Sequence, residues 1–337
     1  MKRMRIGTRA SPLAMIQTYQ VIERLRQQWP DLEITIEQIH TRGDHFTNVP
    51  LSQVGGDGVF VTEIERALHE KRIDVAVHSL KDLPTIQPVD LRLVIMGPRE
   101  DVRDVFVAHE QGLQPGNNIR IGTCSLRRMA QVRSFYPDAH ILSIRGNVDT
   151  RLRKLEAHQY DGIVLAAAGL HRLLLSHRLT GRRHAVSLSG WISAEDLQER
   201  LYGRMTYLPI QAVMPAPGQG ALALEIRDQP ELCELLAPLG DPLVQAATTA
   251  ERMFMRHLGA GCYLPIAAFA EVQAATLTLH GLVISLDGQN VVRAHQSMTW
   301  TAATPVERAE QLGVAVANQA LAQGAASIIS AFSFHTD

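Results

Sequence analysis

The chain has 337 residues, 46% of them hydrophobic, which is too long for one ordinary core and suits two or three domains. Its formal net charge of -1 offers no bulk attraction to nucleic acid or a membrane surface, so any affinity for charge must be local. No apolar run is long enough for a membrane span, and the start MKRMRIGTRA lacks the features of a secretory leader, so a soluble cytoplasmic protein is expected. The three cysteines, Cys124, Cys233 and Cys262, are far apart and leave one unpaired in any disulfide scheme, which argues against both a disulfide framework and a zinc site.

In chain order, RIGT at 5–8 reads as a strand. Ser11 and Pro12 then form an N-cap and first-turn pair ahead of Leu13, Ile16, Val21 and Leu25 at near-helical spacing. WPD at 29–31 precedes the strand-like LEITIEQI, and TRGD closes at 41–44. GGDGVF at 55–60 has neither the GxxxxGK(S/T) nor the GxGxxG order of a nucleotide loop and reads as a flexible flap that includes Phe60. A strand at 73–77, IDVAV, leads into HSLKDLP.

The same parts then return in the same order. RIGT stands again at 120–123, Ser125 can cap a helix through Met129 and Val132, YPD follows at 136–138, then the strand-like HILSI and RGNVD at 145–149. DGIVLAA at 161–167 is the counterpart of IDVAV. Strands alternating with helices in this way imply βαβ units, here in two similar α/β lobes with mostly parallel sheets.

After PAPGQGALALEIR (215–227) the pattern changes. The run LTLHGLVISLDGQNVVRAHQSM alternates apolar and polar residues around Asp287-Gly288, the signature of an antiparallel hairpin, and a helical stretch occupies 305–324. This is a smaller α+β domain, with Cys262 in a loop at its entrance.

In doubly wound sheets, ligands bind beyond the carboxyl ends of strands, where helix N-termini face anions. Arg9, Ser11, Ser79, Lys81, Asp82, Ser125, Arg127, Arg128, Arg145, Arg151 and Arg172 fall at such places. Any one arginine could be a solvated surface residue, but the set converges from both lobes and points to a cleft for a polyanion. Asp82 is the lone acid among them. It reads either as an ion-pair partner for a neighbouring cation or as a carboxylate that stabilises positive charge on a substrate or moves a proton. Taken alone, Cys262 reads as an inert loop thiol sooner than as a functional one.

Together IGTRASPLA, VGGDGVFVTEIE, DVAVHSLKDLP, GTCSLRR, RGNVDTRL, AAAGLHRL, PAPGQGAL and GAGCYLPI make the chain closely resemble the porphobilinogen deaminase (hydroxymethylbilane synthase) family over nearly its full length. The resemblance implies two periplasmic-binding-protein-like lobes and a C-terminal α+β domain with an antiparallel sheet. The expected division is 1–97 with 213–230, 98–212, and 231–337. It also implies a transferase of tetrapyrrole and heme biosynthesis, a cytoplasmic monomer that condenses porphobilinogen head to tail on a dipyrromethane cofactor held by a thioether to Cys262. In that reading Asp82 stabilises the cation formed as ammonia leaves. Arg9, Arg127, Arg128, Arg145, Arg151 and Arg172 hold pyrrole carboxylates, assisted by Ser11, Ser79, Lys81 and Ser125. Thr123 and Gly146 sit where backbone approaches the growing chain. No metal, nucleic acid or membrane is implied.

Three features depart from the family pattern. The connection 177–214 is longer by roughly one helix and a loop, with a short helix capped at Ser193 expected in ISAEDLQERL. The flap carries Asp57 where a basic residue is common, and Cys124 replaces a small hydroxyl or alanine-like position. Two other readings stay open on sequence alone: a two-lobed anion-binding protein without catalysis, and a transferase using Cys262 as a transient nucleophile.

Overall fold

The computed structural model describes residues 3–41, 61–175, 194–259, 264–301 and 303–333. The flap at 55–60 with Phe60, Ser193, and Cys262 lie outside these residues.

In the first lobe, strand β1 (Arg3–Arg9) pairs in parallel with β2 (Glu33–Ile39) and β3 (Val75–Ser79). Strand β10 (Leu222–Arg227) inserts antiparallel between β3 and β4 (Leu91–Met96), so the order is β2-β1-β3-β10-β4. In the second lobe β6 (Arg120–Gly122) pairs in parallel with β7 (His140–Leu142) and β8 (Gly162–Ala166). There β5 (Asp104–Ala108) inserts antiparallel between β8 and β9 (Met205–Tyr207), giving β7-β6-β8-β5-β9. The two orders are the same, and in each sheet four of the five strands run one way. The odd strand in each is the one that follows a crossing from the other lobe, which the sequence pattern of parallel units did not foresee.

The repeated Gly-Thr turn has a packing reason in both copies. A Cβ on Gly7 would lie 2.3 Å from the Ile73 side chain, and one on Gly122 would lie 2.9 Å from the Tyr160 ring. Each clashing residue precedes the third strand of its lobe, so the glycine lets that chain pass closely.

Helix α1 (Pro12–Gln28) starts as the sequence predicts, with Ser11 as N-cap accepting from the Ala14 N–H and Pro12 in the first turn. It buries Val21, Ile22 and Leu25 in the core of lobe 1 and Ile16 in the core of lobe 2. Helix α2 (Thr62–His69) covers lobe 1, burying Ile64 and Leu68. In lobe 2, α3 (Leu126–Phe135) is capped by Ser125, and α4 (Val148–Glu156) and α5 (Ala167–Leu174) follow β7 and β8. Helix α6 (Ala194–Leu201) lies within the long connection and packs Leu197 and Leu201 onto the lobe 2 core.

After α7 (Pro230–Leu236) and α8 (Pro242–His257), strands β11 (Ile266–Gln273), β12 (Thr276–Ile284) and β13 (Val291–Thr299) form an antiparallel sheet. Helix α9 (Glu307–Ala322) and α8 cover one face around Phe254, Leu277, Leu279 and Val316, and α10 (Ala325–Ser333) closes that core with Ile328. The other face sets Leu282 and Ile284 against Ala130 and Met214 beside lobe 2. The α/β lobes and the C-terminal α+β unit are thus the expected fold class. Among the described residues no single helix is long and apolar enough to cross a membrane.

Candidate active site

The carboxyl ends of the parallel strands of both lobes face a cavity of about 230 Å³. Lobe 1 lines it with Arg9 and Ser11 at and after the end of β1, and with Ser79, Lys81 and Asp82 at and after the end of β3. Lobe 2 contributes Arg128 from α3, Gly146 and Arg151 at the start of α4, and Arg172 from α5. The N-terminal residues of α1, α4 and α5 also border it, so backbone N–H groups and positive helix ends face the same space. Among the described residues Asp82 is the one carboxylate on this lining, exposed at the end of the 3-10 turn Leu80–Asp82.

Lys81 is half-buried beside Asp82 and donates to Gln219 Oε1 at 3.3 Å. Burial pulls its ammonium down to about 8, with Asp82 opposing and Arg128 reinforcing the shift. Arg172 is pulled by burial to about 10, with Glu100 opposing, and its Nη2 donates to the Gly220 carbonyl at 2.8 Å. Arg151 holds the Gly146 carbonyl through Nε at 2.8 Å and reaches Cys124 Sγ at 3.6 Å, so the unusual Cys124 does stand beside an arginine.

The paired arginines behave differently from the others. Asp104 is fully buried on β5 and takes Arg127 Nη2 on one oxygen and Arg128 Nη2 on the other, each at 2.7 Å. Burial alone would raise this carboxyl, but the two guanidiniums outweigh it and hold it far below the ordinary carboxylate range. Burial lowers Arg127, whereas on Arg128 the attraction of Asp104 overcomes burial and the net direction is upward. Two cations on one anion leave a net positive charge behind the cleft wall, and Gln219 links it to Lys81 by donating from Nε2 to Asp104 Oδ1 at 2.8 Å.

The predicted residues therefore divide. Arg9, Ser11, Ser79, Lys81, Asp82, Arg128, Gly146, Arg151 and Arg172 meet at the cavity, while Thr123, Ser125, Arg127 and Arg145 do not border it. Arg127 spends its other amino group on the Met214 carbonyl. Thr123 is fully buried and its Oγ1 accepts from the Ser125 N–H, and Ser125 caps α3. Gly146 has a φ of +109°, and a Cβ there would meet the Thr150 side chain at 2.6 Å, so its absence of a side chain serves the turn into α4.

Sequence reasoning missed Gln17, which donates to Ser79 Oγ at 2.7 Å, as well as Gln219, Asp104 and His78. His78 borders the cavity and its Nε2 lies 3.1 Å from Glu225 Oε2, a carboxylate with no exposed surface. His78 and Gln219 lie inside quoted motifs, HSLKDLP and PAPGQGAL, so a reading of each motif residue by residue would have found them. Asp104 sits in an apolar strand, DVFVA, with no local signal.

The donor set suits a ligand carrying several carboxylates together with one centre of positive charge, because guanidiniums, an ammonium and helix N-termini surround a single acid. An acid-bearing dipyrrole brings the carboxylates, and a pyrrole losing ammonia brings the positive centre. The loop holding Cys262 lies outside the described residues, between Gly259 after α8 and Leu264 before β11.

Residues 4–234 match the family described as Porphobilinogen deaminase, dipyromethane cofactor binding domain, and residues 245–322 match Porphobilinogen deaminase, C-terminal domain. Porphobilinogen deaminase of Syntrophotalea carbinolica is 43% identical over 97% of this chain and 95% of its own. That of Roseiflexus sp. is 41% identical over 96% and 98%, and that of Acidithiobacillus ferrooxidans 43% identical over 97% and 97%. Among solved structures, the periplasmic aliphatic sulphonate binding protein of Escherichia coli overlaps 76% of this chain and 70% of its own, at 12% identity and a TM-score of 0.36. At that score the overlap carries no weight, and the architecture rests on the strand orders.

Proposed function

The chain belongs to the porphobilinogen deaminase family, and from that membership we propose that the interlobe cavity condenses porphobilinogen head to tail, with Asp82 as the catalytic carboxylate and the surrounding cations as carboxylate holders. The enzyme is a transferase of tetrapyrrole synthesis acting on a small-molecule substrate. Its finer assignment as a hydroxymethylbilane synthase, releasing a linear tetrapyrrole by hydrolysis after four condensations, belongs to this reading. A cytoplasmic monomer without a nucleic-acid or membrane partner completes it.

The observation that carries the reading is the position of Asp82 on a cationic wall, with no other carboxylate beside it among the described residues. Loss of ammonia from the aminomethyl group of the incoming pyrrole leaves positive charge on that ring and its N–H. A carboxylate fixed in a tight turn stabilises this charge more in the transition state than in the ground state, which is the condition for acceleration. Arg9, Arg128, Arg151, Arg172 and Lys81 take the acetate and propionate groups, neutralising charge that accumulates as the product lengthens. Arg127 acts behind them by holding Asp104 and hence Arg128. A dipyrromethane on Cys262 supplies the permanent nucleophilic pyrrole end on which the product grows. Cys262 needs no adjacent general base, since a thioether anchor is not a leaving group.

The test is the intact mass of the denatured protein followed by peptide mapping around Cys262. A stable excess of two linked pyrrole units on that peptide, persisting after substrate is exhausted, is expected. An unmodified mass after incubation with porphobilinogen would instead favour a two-lobed binding protein, and an adduct that vanishes with the substrate would favour a transient nucleophile.

A further inference from the structure

Helix α8 of the C-terminal domain runs from Pro242 to His257, and two consecutive residues in its second half grip different cleft loops. Glu251 is fully buried and takes Arg99 Nη1 and Nη2 at 2.8 and 2.9 Å. It also accepts from the Gly218 N–H at 2.7 Å and the Ala270 N–H at 2.8 Å, which ties the Gly218-Gln219-Gly220 loop to the third domain. The next residue, Arg252, reaches across to the turn that carries Asp82. Its Nη1 donates to the Leu83 carbonyl at 3.1 Å and the Leu80 carbonyl at 3.4 Å, and its Nη2 donates to the Pro84 carbonyl at 2.5 Å.

Those three carbonyls bracket Asp82. The turn is one 3-10 element of three residues, with the Leu83 N–H bonded back to the Leu80 carbonyl, and so short a segment has little stiffness of its own. Leu80 and Leu83 anchor it by burial, with Val244 of α8 packed against the same cluster. Apolar contacts set the depth of such a turn but not its rotation, whereas a planar guanidinium meeting three carbonyl oxygens fixes direction as well.

We propose that Arg252 is a positioning residue for Asp82, through which α8 of the C-terminal domain fixes the orientation of the turn that carries this carboxylate. The inference rests on the reading of Asp82 given above. It assigns Arg252 no contact with substrate. Its effect is orientational: the Asp82 carboxylate must meet the developing cation at a fixed place, and a shift on the order of 1 Å costs up to about a hundredfold in rate.

The experiment compares holoenzyme forms of wild type, Arg252→Met, Arg252→Lys, Asp82→Asn and the double variant Asp82→Asn/Arg252→Met, measuring dipyrromethane content by mass, kcat and KM. Arg252→Met is expected to keep the mass increment and a KM within about twofold of wild type while kcat falls roughly 10- to 100-fold. Arg252→Lys, able to meet only part of the carbonyl set, recovers a portion of the rate. In the Asp82→Asn background the same Met substitution lowers kcat by less than about twofold, because the group being positioned is already gone.

An unchanged kcat in Arg252→Met beside an impaired Asp82→Asn overturns this proposal alone. So does a loss of equal size in both backgrounds, the mark of a structural role, or a loss confined to dipyrromethane content. A near-normal Asp82→Asn overturns the reading of Asp82 and this inference with it. Should Arg252→Met misfold, Arg252→Lys and Asp82→Asn/Arg252→Lys carry the same comparison.

Discussion

The two lobes share a strand order yet handle a buried carboxylate in opposite ways. In each sheet the inserted antiparallel strand carries a fully buried acid: Glu225 on β10 in lobe 1 and Asp104 on β5 in lobe 2. Glu225 meets a single imidazole nitrogen of His78, whereas Asp104 meets two guanidiniums that stay charged at any working pH. A repeated scaffold therefore leaves charge free to diverge. Lobe 2 became a fixed cationic wall, and lobe 1 received Asp82 and a lysine poised near neutrality.

Removing the acid from lobe 1 is expected to have the largest effect. Asp82→Asn should bind porphobilinogen with turnover reduced by about a thousandfold, read by single-turnover kinetics. Near-normal turnover would remove the chemical role assigned to that lobe.

The lobe 2 counterpart, Asp104→Asn, strands two buried guanidiniums and should destabilise the fold by about 3–5 kcal/mol in denaturant unfolding. Because the folded carboxyl is held low, its stabilisation is complete above the unfolded value near about 4 and is lost as pH falls below it. The Asn variant should lack that acid-dependent slope. Arg127→Leu and Arg128→Leu, alike on sequence, should separate: Arg127→Leu chiefly loses stability, and Arg128→Leu chiefly fails to elongate. Equal elongation by both variants would erase the distinction between cavity wall and backing.

The smallest effect concerns Lys81. Its charge in the free enzyme is present below pH 8 and lost as pH rises through about 8, so kcat/KM should decline several-fold on the alkaline side. Lys81→Met should lose that limb. The same depression makes the folded state bind fewer protons than the unfolded one between about 8 and 10.5, so Lys81 adds to stability as pH climbs through that window.

Much of this was legible in the sequence because the signals are local. Ser11 with Pro12 and Ser125 announce helix starts, the two RIGT copies announce the repeat, and Asp287-Gly288 announces the hairpin. The sequence is silent where a side chain's partner lies far along the chain. Arg127 and Arg128 are neighbours in sequence, yet only the distant strand β5 decides that Asp104 claims both and that one of them leaves the cavity. Thr123 and Ser125 also serve the local turn and cap that start α3, a use of their hydroxyls that periodicity does not encode.

The crossing strands also constrain how the chain can be made. On a ribosome, β4 emerges long before β10, yet β10 is the strand that must lie between β3 and β4. At typical elongation speeds the first lobe waits roughly ten seconds with a gap in its sheet while the second is synthesised. The second lobe has no such wait, since β5 to β9 leave in one continuous stretch. The lobe that carries Asp82 is thus the later of the two to close, and its unpaired edges are the ones a nascent-chain chaperone would need to shield.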